Sequence, residues 1–407
     1  MTSYKAYVKE NWGYLVFLLI SLTSFVTLMS RPVGGHYAIF VGGAESVLAG
    51  VNPYGNDYGT QLGEYWYSLN CALSFFSFFQ LFPPFWGLLI YMLSSWLIFL
   101  FGMKSLGATV EKCLGQSLIS VPYRNLFWLF LTSEMTGAIL ASKIEVLMLG
   151  MLFFALKFFI DGRMWVAGVV FGYLIEWKFQ PLPILGLATI VALMVHGIKP
   201  SIQLVLTSAA SFFAAFLLPV MWLGLEKTLL YQSVLQERLL SFMKRDWIGF
   251  QHVYTFLSRN LGMEVSFESA QIISMAVGVS FAIATFVYCR GLRKLNIDKG
   301  LYGGIFAWAL GSAFIVLFSP MSQSNGYILH SSLVFGTAFS IWQMGNQNKK
   351  VFGVLLIAYF LISIAYSDLT PKGLRLYLYH HAYKPLGVLL LLGLFGFNVF
   401  RRKKLTP

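Results

Sequence analysis

Charge is what this chain has least of. Only 11% of its 407 residues are Asp, Glu, Lys or Arg, while 57% are hydrophobic; a soluble domain carries roughly 25% charged residues. A water-soluble fold is excluded. Cysteine is scarce as well: Cys71, Cys113 and Cys289 show no C-x-x-C spacing and fall in or beside apolar blocks. Neither a disulfide framework nor a zinc site is expected, and the three read as packing residues. The sequence also lacks a P-loop, G-x-G-x-x-G, H-E-x-x-H, a nucleophile elbow and a D-x-D pair. Nucleotide hydrolysis, dinucleotide redox chemistry, zinc proteolysis and metal-dependent use of nucleotide sugars are left without support. No metal or cofactor is called for. The short alternating segments of a spanning β-barrel are missing, as is any repeat of fixed period.

What the chain has instead is a succession of apolar blocks, each near the roughly 20 residues that a helix needs to cross hydrocarbon. They run over 12–29, 71–82, 85–101, 125–141, 146–160, 165–177, 182–195, 202–223, 272–288, 301–318, 327–341, 351–365 and 385–400. The pattern predicts an all-α polytopic transmembrane helical bundle of about twelve helices (11–13), forming a single integral-membrane domain over 1–407. Within it, 1–223 form a core with an outer loop at 31–70, 224–271 an outer interfacial segment and 272–407 the C-terminal helices. Block 12–29 reads as an uncleaved first helix, because no small-residue cleavage site precedes Arg31 and Pro32. Pro83 and Pro84 break the 71–101 region into two helices or one crossing plus a half.

The net charge of +13 follows from topology rather than from nucleic-acid binding. Lys104, Lys112, Arg124, Arg163, Lys199, the Arg290, Arg293, Lys294 group, Lys349 with Lys350, and the tail 401–404 all fall in short connections, and positive-inside counting places them in the cytoplasm. The stretch 108–121 is a candidate for lying on or in the membrane. The outer face then collects 31–70, 142–145, 176–183, 226–269, 319–327 and 367–384, and the active site is expected there.

The loop 31–70 holds a short apolar segment at 37–49 and then a turn of Asn52, Pro53, Tyr54 and Gly55. That order suits a segment lying flat on the membrane and followed by a fixed reversal. Its titratable groups are His36, Glu45, Asp57 and Glu64, beside the cationic Arg31. Glu176 and Lys178 stand at the end of an apolar helix stopped by Pro181 and Pro183. Ionisable groups at such depth face a cavity or a partner, although a snorkelling lysine anchored by Trp177 is the plain reading. Lys143 and Glu145 flank a turn on the same face and read equally well as a solvated turn. Glu134, inside an apolar block, is a candidate for a buried partner, and equally for a protonated carboxyl hydrogen-bonded to a neighbouring helix. The stretch 226–259 interleaves aromatic and basic residues like a surface helix; in it His252 and Arg259 can face a lipid substrate or serve as plain cover. Ser319, Pro320 and Tyr327 make an outer turn, and His330 stands one helical turn into the next block, where a buried neutral histidine is the common case.

These residues together resemble the GT-C superfamily of integral-membrane glycosyltransferases, and within it the bacterial polyprenyl-phosphate-mannose-dependent mannosyltransferases. The stretch HYAIFVGGAESVLAGVNPY is similar to that branch's first outer loop, which ends in a Gly-x-Asn-Pro-Tyr turn. Tyr67, Ser68 and Leu69 stand where the branch has Tyr-x-Pro. Gly162, Arg163, Ala167 and Gly168 resemble its Gly-Arg before an Ala-Gly helix, Lys178 and Pro181 its intramembrane Lys with a following Pro, and Ser319, Pro320 and Tyr327 its late Ser-Pro with an aromatic. The motifs are short and specific only as an ensemble, over about 80% of the chain in order. Two positions depart: the branch's loop Asp falls on His36, and its Gly-Gln-x-Asn turn on Ser142, Lys143, Ile144 and Glu145.

The resemblance implies an inverting transfer of a hexose, mannose first, from a polyprenyl-phosphate donor to a lipid or glycan acceptor at the outer face of the bacterial cytoplasmic membrane. It needs membrane lipids as surroundings and neither cofactor, metal nor nucleic acid. The loop base would be His36, Glu64 or Asp57, since a histidine can take a proton near neutral pH. Lys178 and Arg259 would hold the donor phosphate, with Glu176, Glu145, Tyr327 and His330 as further candidates. Two alternatives stand beside it. One is a transporter or flippase, against which the lack of an inverted repeat counts; the other is a non-catalytic relative that binds a lipid-linked sugar, for which His36 in place of Asp speaks.

Overall fold

The computed structural model describes residues 2–401 except 32, 34, 59–63, 116–123, 244–250, 320–323, 344–348 and 367–369. Pro320 and the basic tail beyond Arg401 therefore lie outside the described residues, within which all regular structure is helical. A chain this apolar must satisfy its backbone amides within each segment, and the helix does so. The first helix, α1 (Thr2–Met29), bends at Asn11 and leads into the short α2 (Gly35–Leu48). Beyond the first loop come α3 (Leu69–Cys71) and α4 (Ser77–Phe79), joined by one π-helical turn. Pro83 ends that segment and Pro84 opens α5 (Pro84–Leu114), at the one helical position where a missing N–H costs nothing. The helix α5 passes the end of its apolar block and closes only at Gly115, whose φ is +64°. Of the stretch 108–121, expected on or in the membrane, residues 108–114 are the end of a helix of 31 residues, about 46 Å long, and 116–121 lie outside the described residues.

The order continues with α6 (Arg124–Leu140), α7 (Glu145–Ile160), α8 (Met164–Trp177), α9 (Leu182–Val191) and α10 (Ile198–Leu223). Then come α11 (Leu225–Met243), α12 (Val253–Leu261), α13 (Phe267–Leu292), α14 (Lys299–Phe318) and, after a 3-10 turn at Ser324–His330, α15 (Ser331–Gln343). The chain closes with α16 (Lys349–Ile362), α17 (Lys372–His380) and α18 (Lys384–Arg401). Among the described residues six helices are long and apolar enough to cross a membrane: the part of α1 from Glu10, α5, α10, α13, α14 and α18. Several other apolar blocks form helices of only 10–17 residues. Hydropathy registers how apolar a block is, not how far its helix continues.

The centre is α14, buried nearly all round between α7, α9, α13, α15 and α18. Small residues set how closely helices approach, as expected where lipid supplies little hydrophobic drive. A Cβ on Gly172 of α8 would stand 2.0 Å from the Ser208 carbonyl oxygen of α10. On Gly102 of α5 it would stand 2.5 Å from the Gly150 oxygen of α7. These contacts fix α5 on α7 and α8 on α10, and the ends of α7 and α8 hold the candidate site. Outward, α10 and α13 present Leu206, Phe213, Met221, Ile272, Met275, Val279 and Ile283, all exposed, faces suited to lipid.

Candidate functional site

The site is assembled by the first loop. The α2 helix buries Tyr37, Ile39, Phe40, Ala44 and Val47, which leaves His36 half-buried in its first turn beside the Phe40 ring. Beyond it, Asn52 Oδ1 accepts from the Tyr54 N–H at 3.0 Å, the side-chain turn that an Asn before Pro favours. The turn aims the Tyr54 hydroxyl at the Tyr67 carbonyl, 2.9 Å away, and the Tyr65 hydroxyl donates to the Ser68 carbonyl at 2.8 Å. Residues 67–70 are thereby fixed. Ser68 Oγ accepts from the Cys71 N–H at 3.1 Å, capping α3, and itself donates to Glu176 Oε2 at 2.9 Å. Asn70 Nδ2 donates to the same oxygen at 2.8 Å. Glu176, buried on α8, is the fastening between the loop and the helix that carries Lys178.

The second wall is the turn between α6 and α7. Ser142 takes a left-handed φ of +54°, and the amides of Ala141, Ser142 and Lys143 bond back to Gly137, Ile139 and Ala138. The reversal turns Lys143 and Glu145 inward, 3% and 2% exposed. The solvated-turn reading of this pair is overturned: both side chains are inside. Lys178 leaves α8 in an extended conformation; its Nζ meets Glu145 Oε1 at 2.6 Å and lies 5.4 Å from the centre of the Tyr67 ring. The second carboxylate oxygen, Glu145 Oε2, is buried with no hydrogen-bond partner.

Electrostatics binds these residues into one cluster. His36 lies in the connection after α1, outside the spans, and its pKa is pushed down to about 3, first by burial, then by Lys143, against the opposing pull of Glu145, and finally by Lys178. Lys143, in the turn, is lowered to about 8 by burial, a fall that Glu145 resists and Lys178 adds to. At neutral pH the imidazole is neutral with a free lone pair. The site is a carboxylate in contact with Lys178, with Lys143 and a neutral histidine in the same electrostatic field and the Tyr67 ring beside the Lys178 ammonium.

The other candidates read from the sequence stand elsewhere in the fold. Glu64 pairs with Arg238 of α11 at 2.8 Å, both about a third exposed, and Asp57 is exposed in the loop; neither joins the cluster of His36. Thr228, Tyr231 and Leu235, on the face of α11 that carries Arg238, are buried, and Tyr231 Oη donates to the Gly50 carbonyl at 3.0 Å. Arg259 Nη1 donates to the His380 carbonyl at 2.9 Å, and Asn260 and Gln251 reach the carbonyls of His381 and Tyr379. Arg259 thus caps the end of α17, where a cation and a donor are favoured. His252 caps α12, its Nδ1 accepting from the Thr255 N–H at 3.2 Å.

Tyr327 and His330 form a second polar cluster. The Tyr327 hydroxyl donates to the Gln251 carbonyl, and His330, fully buried, has Nδ1 on the Tyr327 carbonyl. Over the Tyr327 ring, 5.1 Å from its centre, stands Lys384 Nζ, which meets Glu134 Oε1 at 2.8 Å. Of the two readings of Glu134, the contact with Lys384 fits the buried partner. Sequence reasoning does not single out Lys384, nor Ser68, Asn70 and Arg238 as partners. The signal for Lys384 is a single lysine opening an apolar block, opposite in sign to the single glutamate inside another. Among the described residues no group of three or more His, Cys, Asp or Glu side chains could hold a metal ion, and Cys71, Cys113 and Cys289 are free. The chain matches no protein-family model and no curated protein.

Proposed function

We propose that this chain is a membrane-embedded hexosyltransferase of the GT-C type. It moves a hexose, mannose first, from polyprenyl phosphate to a lipid or glycan acceptor at the outer face of a bacterial cytoplasmic membrane, with inversion. The observation that carries the reading is the convergence of His36, Lys143, Glu145 and Lys178 from three separate segments, all at chain connections, with the Lys178 side chain 24% exposed.

The acceptor hydroxyl oxygen attacks the anomeric carbon and forms the new glycosidic bond. The bond from that carbon to the phosphate oxygen breaks, and its electron pair leaves with polyprenyl phosphate. Lys178 and Lys143 stabilise the departing charge, the largest task such a reaction sets. The hydroxyl proton passes to the neutral imidazole of His36. The same donor anion tunes that base: burial is the main cause of the low pKa of His36, and the anion's negative charge offsets the further depression by the two lysines, so the imidazole becomes more basic once the donor is bound. Glu64, tied to Arg238, and Asp57 are set aside as bases.

The test is transfer of label from radiolabelled polyprenyl-phosphate mannose into a lipid extract by membranes carrying the wild type, His36→Ala or Lys178→Met. Transfer by the wild type and loss in both variants is expected. No transfer by folded wild type from any of several donor sugars would overturn the reading and leave a binder of lipid-linked sugars.

A further inference from the structure

Glu145 is the residue of the site that the transfer step does not use. Its Oε1 is taken by Lys178 at 2.6 Å, whereas Oε2 is closed off from solvent and accepts from nothing. The side chain is 2% exposed. A buried acceptor without a donor is rare in folded chains and calls for a partner. The chemistry of that partner is narrow. With Lys178 and Lys143 as its neighbouring cations, the group stays a carboxylate and can only accept. An anion is repelled by it, and a cation would compete with two lysines already in place. A neutral donor remains.

In a sugar phosphate the ring hydroxyls lie within a few bonds of the phosphate. A phosphate drawn to Lys178 therefore carries sugar hydroxyls to the carboxylate that Lys178 touches. We infer that Glu145 is a specificity-determining residue whose Oε2 accepts a hydrogen bond from one hydroxyl of the transferred sugar. The inference rests on the proposed transferase reading and adds how the sugar is chosen. A hydroxyl that meets a buried charged acceptor is discriminated strongly against its deoxy analogue, because the analogue leaves the acceptor unpaired.

The experiment compares polyprenyl-phosphate mannose with analogues lacking one ring hydroxyl at a time, for wild type and Glu145→Gln. The wild type is expected to use one analogue about 10- to 100-fold less well in kcat/KM, the range of one charge-assisted hydrogen bond. In Glu145→Gln that one penalty shrinks toward unity while those for the other hydroxyls stay. A purely structural role would lower all donors alike and keep their ratios, which overturns the inference. So does a wild type that does not discriminate among the analogues. If Glu145→Gln does not fold, Glu145→Asp, which keeps the charge but draws the oxygen back, is to lower the same single penalty; unchanged ratios there overturn the inference equally. A wild type that transfers no sugar removes the transferase reading and this inference with it, whereas transfer with unchanged ratios removes the inference alone.

Discussion

Two ion pairs divide the molecule. Lys384 and Glu134 meet at 2.8 Å with both side chains almost fully enclosed, 3% and 4% exposed, and Tyr327 covers the ammonium. Lys178 and Glu145 meet at 2.6 Å, yet the lysine is 24% exposed while the glutamate is enclosed. The first pair is enclosed on both sides and joins α18 to α6, whereas the second is open on its cationic side. A closed pair can do little besides hold helices together; a half-open one can exchange its partner for a ligand. Burial alone, which both glutamates share, does not distinguish site from scaffold. The exposure of the cation does.

The comparison is broken most severely at the closed pair. Lys384→Met leaves Glu134 buried and uncompensated, a loss of about 3–5 kcal/mol, read as a lower midpoint of thermal unfolding in detergent; Lys384→Met with Glu134→Leu recovers most of it. Recovery failing in the double variant would show that the pair does more than fasten. On the proposed transferase reading, the effect at the open pair is expected in catalysis. Lys178→Met lowers kcat by about 10²–10³-fold with a smaller fall in unfolding temperature than Lys384→Met, measured on the same preparations. A stability loss equal to that of Lys384→Met would make the two pairs alike.

A smaller effect comes from the fastening at Glu176. Glu176→Leu strands the donors Ser68 Oγ and Asn70 Nδ2, costing about 1–3 kcal/mol, whereas Glu176→Gln retains an acceptor oxygen and costs less; the unfolding midpoints of the two variants check the order. His36 gives the pH dependence. Its folded pKa, about 3, lies below the unfolded value near 6.5, so the unfolded chain binds the extra proton. Its contribution is therefore absent above about pH 6.5 and destabilising as pH falls from there toward 3. The side chain is only half-buried, and after discounting for solvent the effect at pH 5 is on the order of 1 kcal/mol. The unfolding midpoint of His36→Asn should fall less than that of the wild type between pH 7 and pH 5. Least of all, Arg238→Ala should cost no more than about 1 kcal/mol, since the Glu64 pair is exposed.

Much of this division was legible in the sequence, in proportion to how local each signal is. The all-helical bundle follows from apolar blocks, and the Asn52 turn from its own four residues. The depth of Glu134, Glu176 and Lys178 follows from apolar neighbours. The inward aim of Lys143 and Glu145 was not legible, because it depends on a left-handed Ser142 that no neighbour announces. The partners of Glu64 and Arg259 lie 174 and 121 residues away, and only the packed chain brings them together. Helix extent failed in the same way, since α5 continues through Lys104 and Lys112 where hydropathy fades.

The two hydrogen bonds to a single oxygen of Glu176 also have a mechanical meaning. They join the end of α8 to residues 68–70 as a hinge pin joins two leaves, while Tyr67 on one leaf keeps its ring against Lys178 on the other. The Lys178 charge, the Tyr67 ring beside it and, through the Tyr67 carbonyl, the Tyr54 hydroxyl thus belong to one bonded frame, so the wall of the site and the charge inside it share a single support.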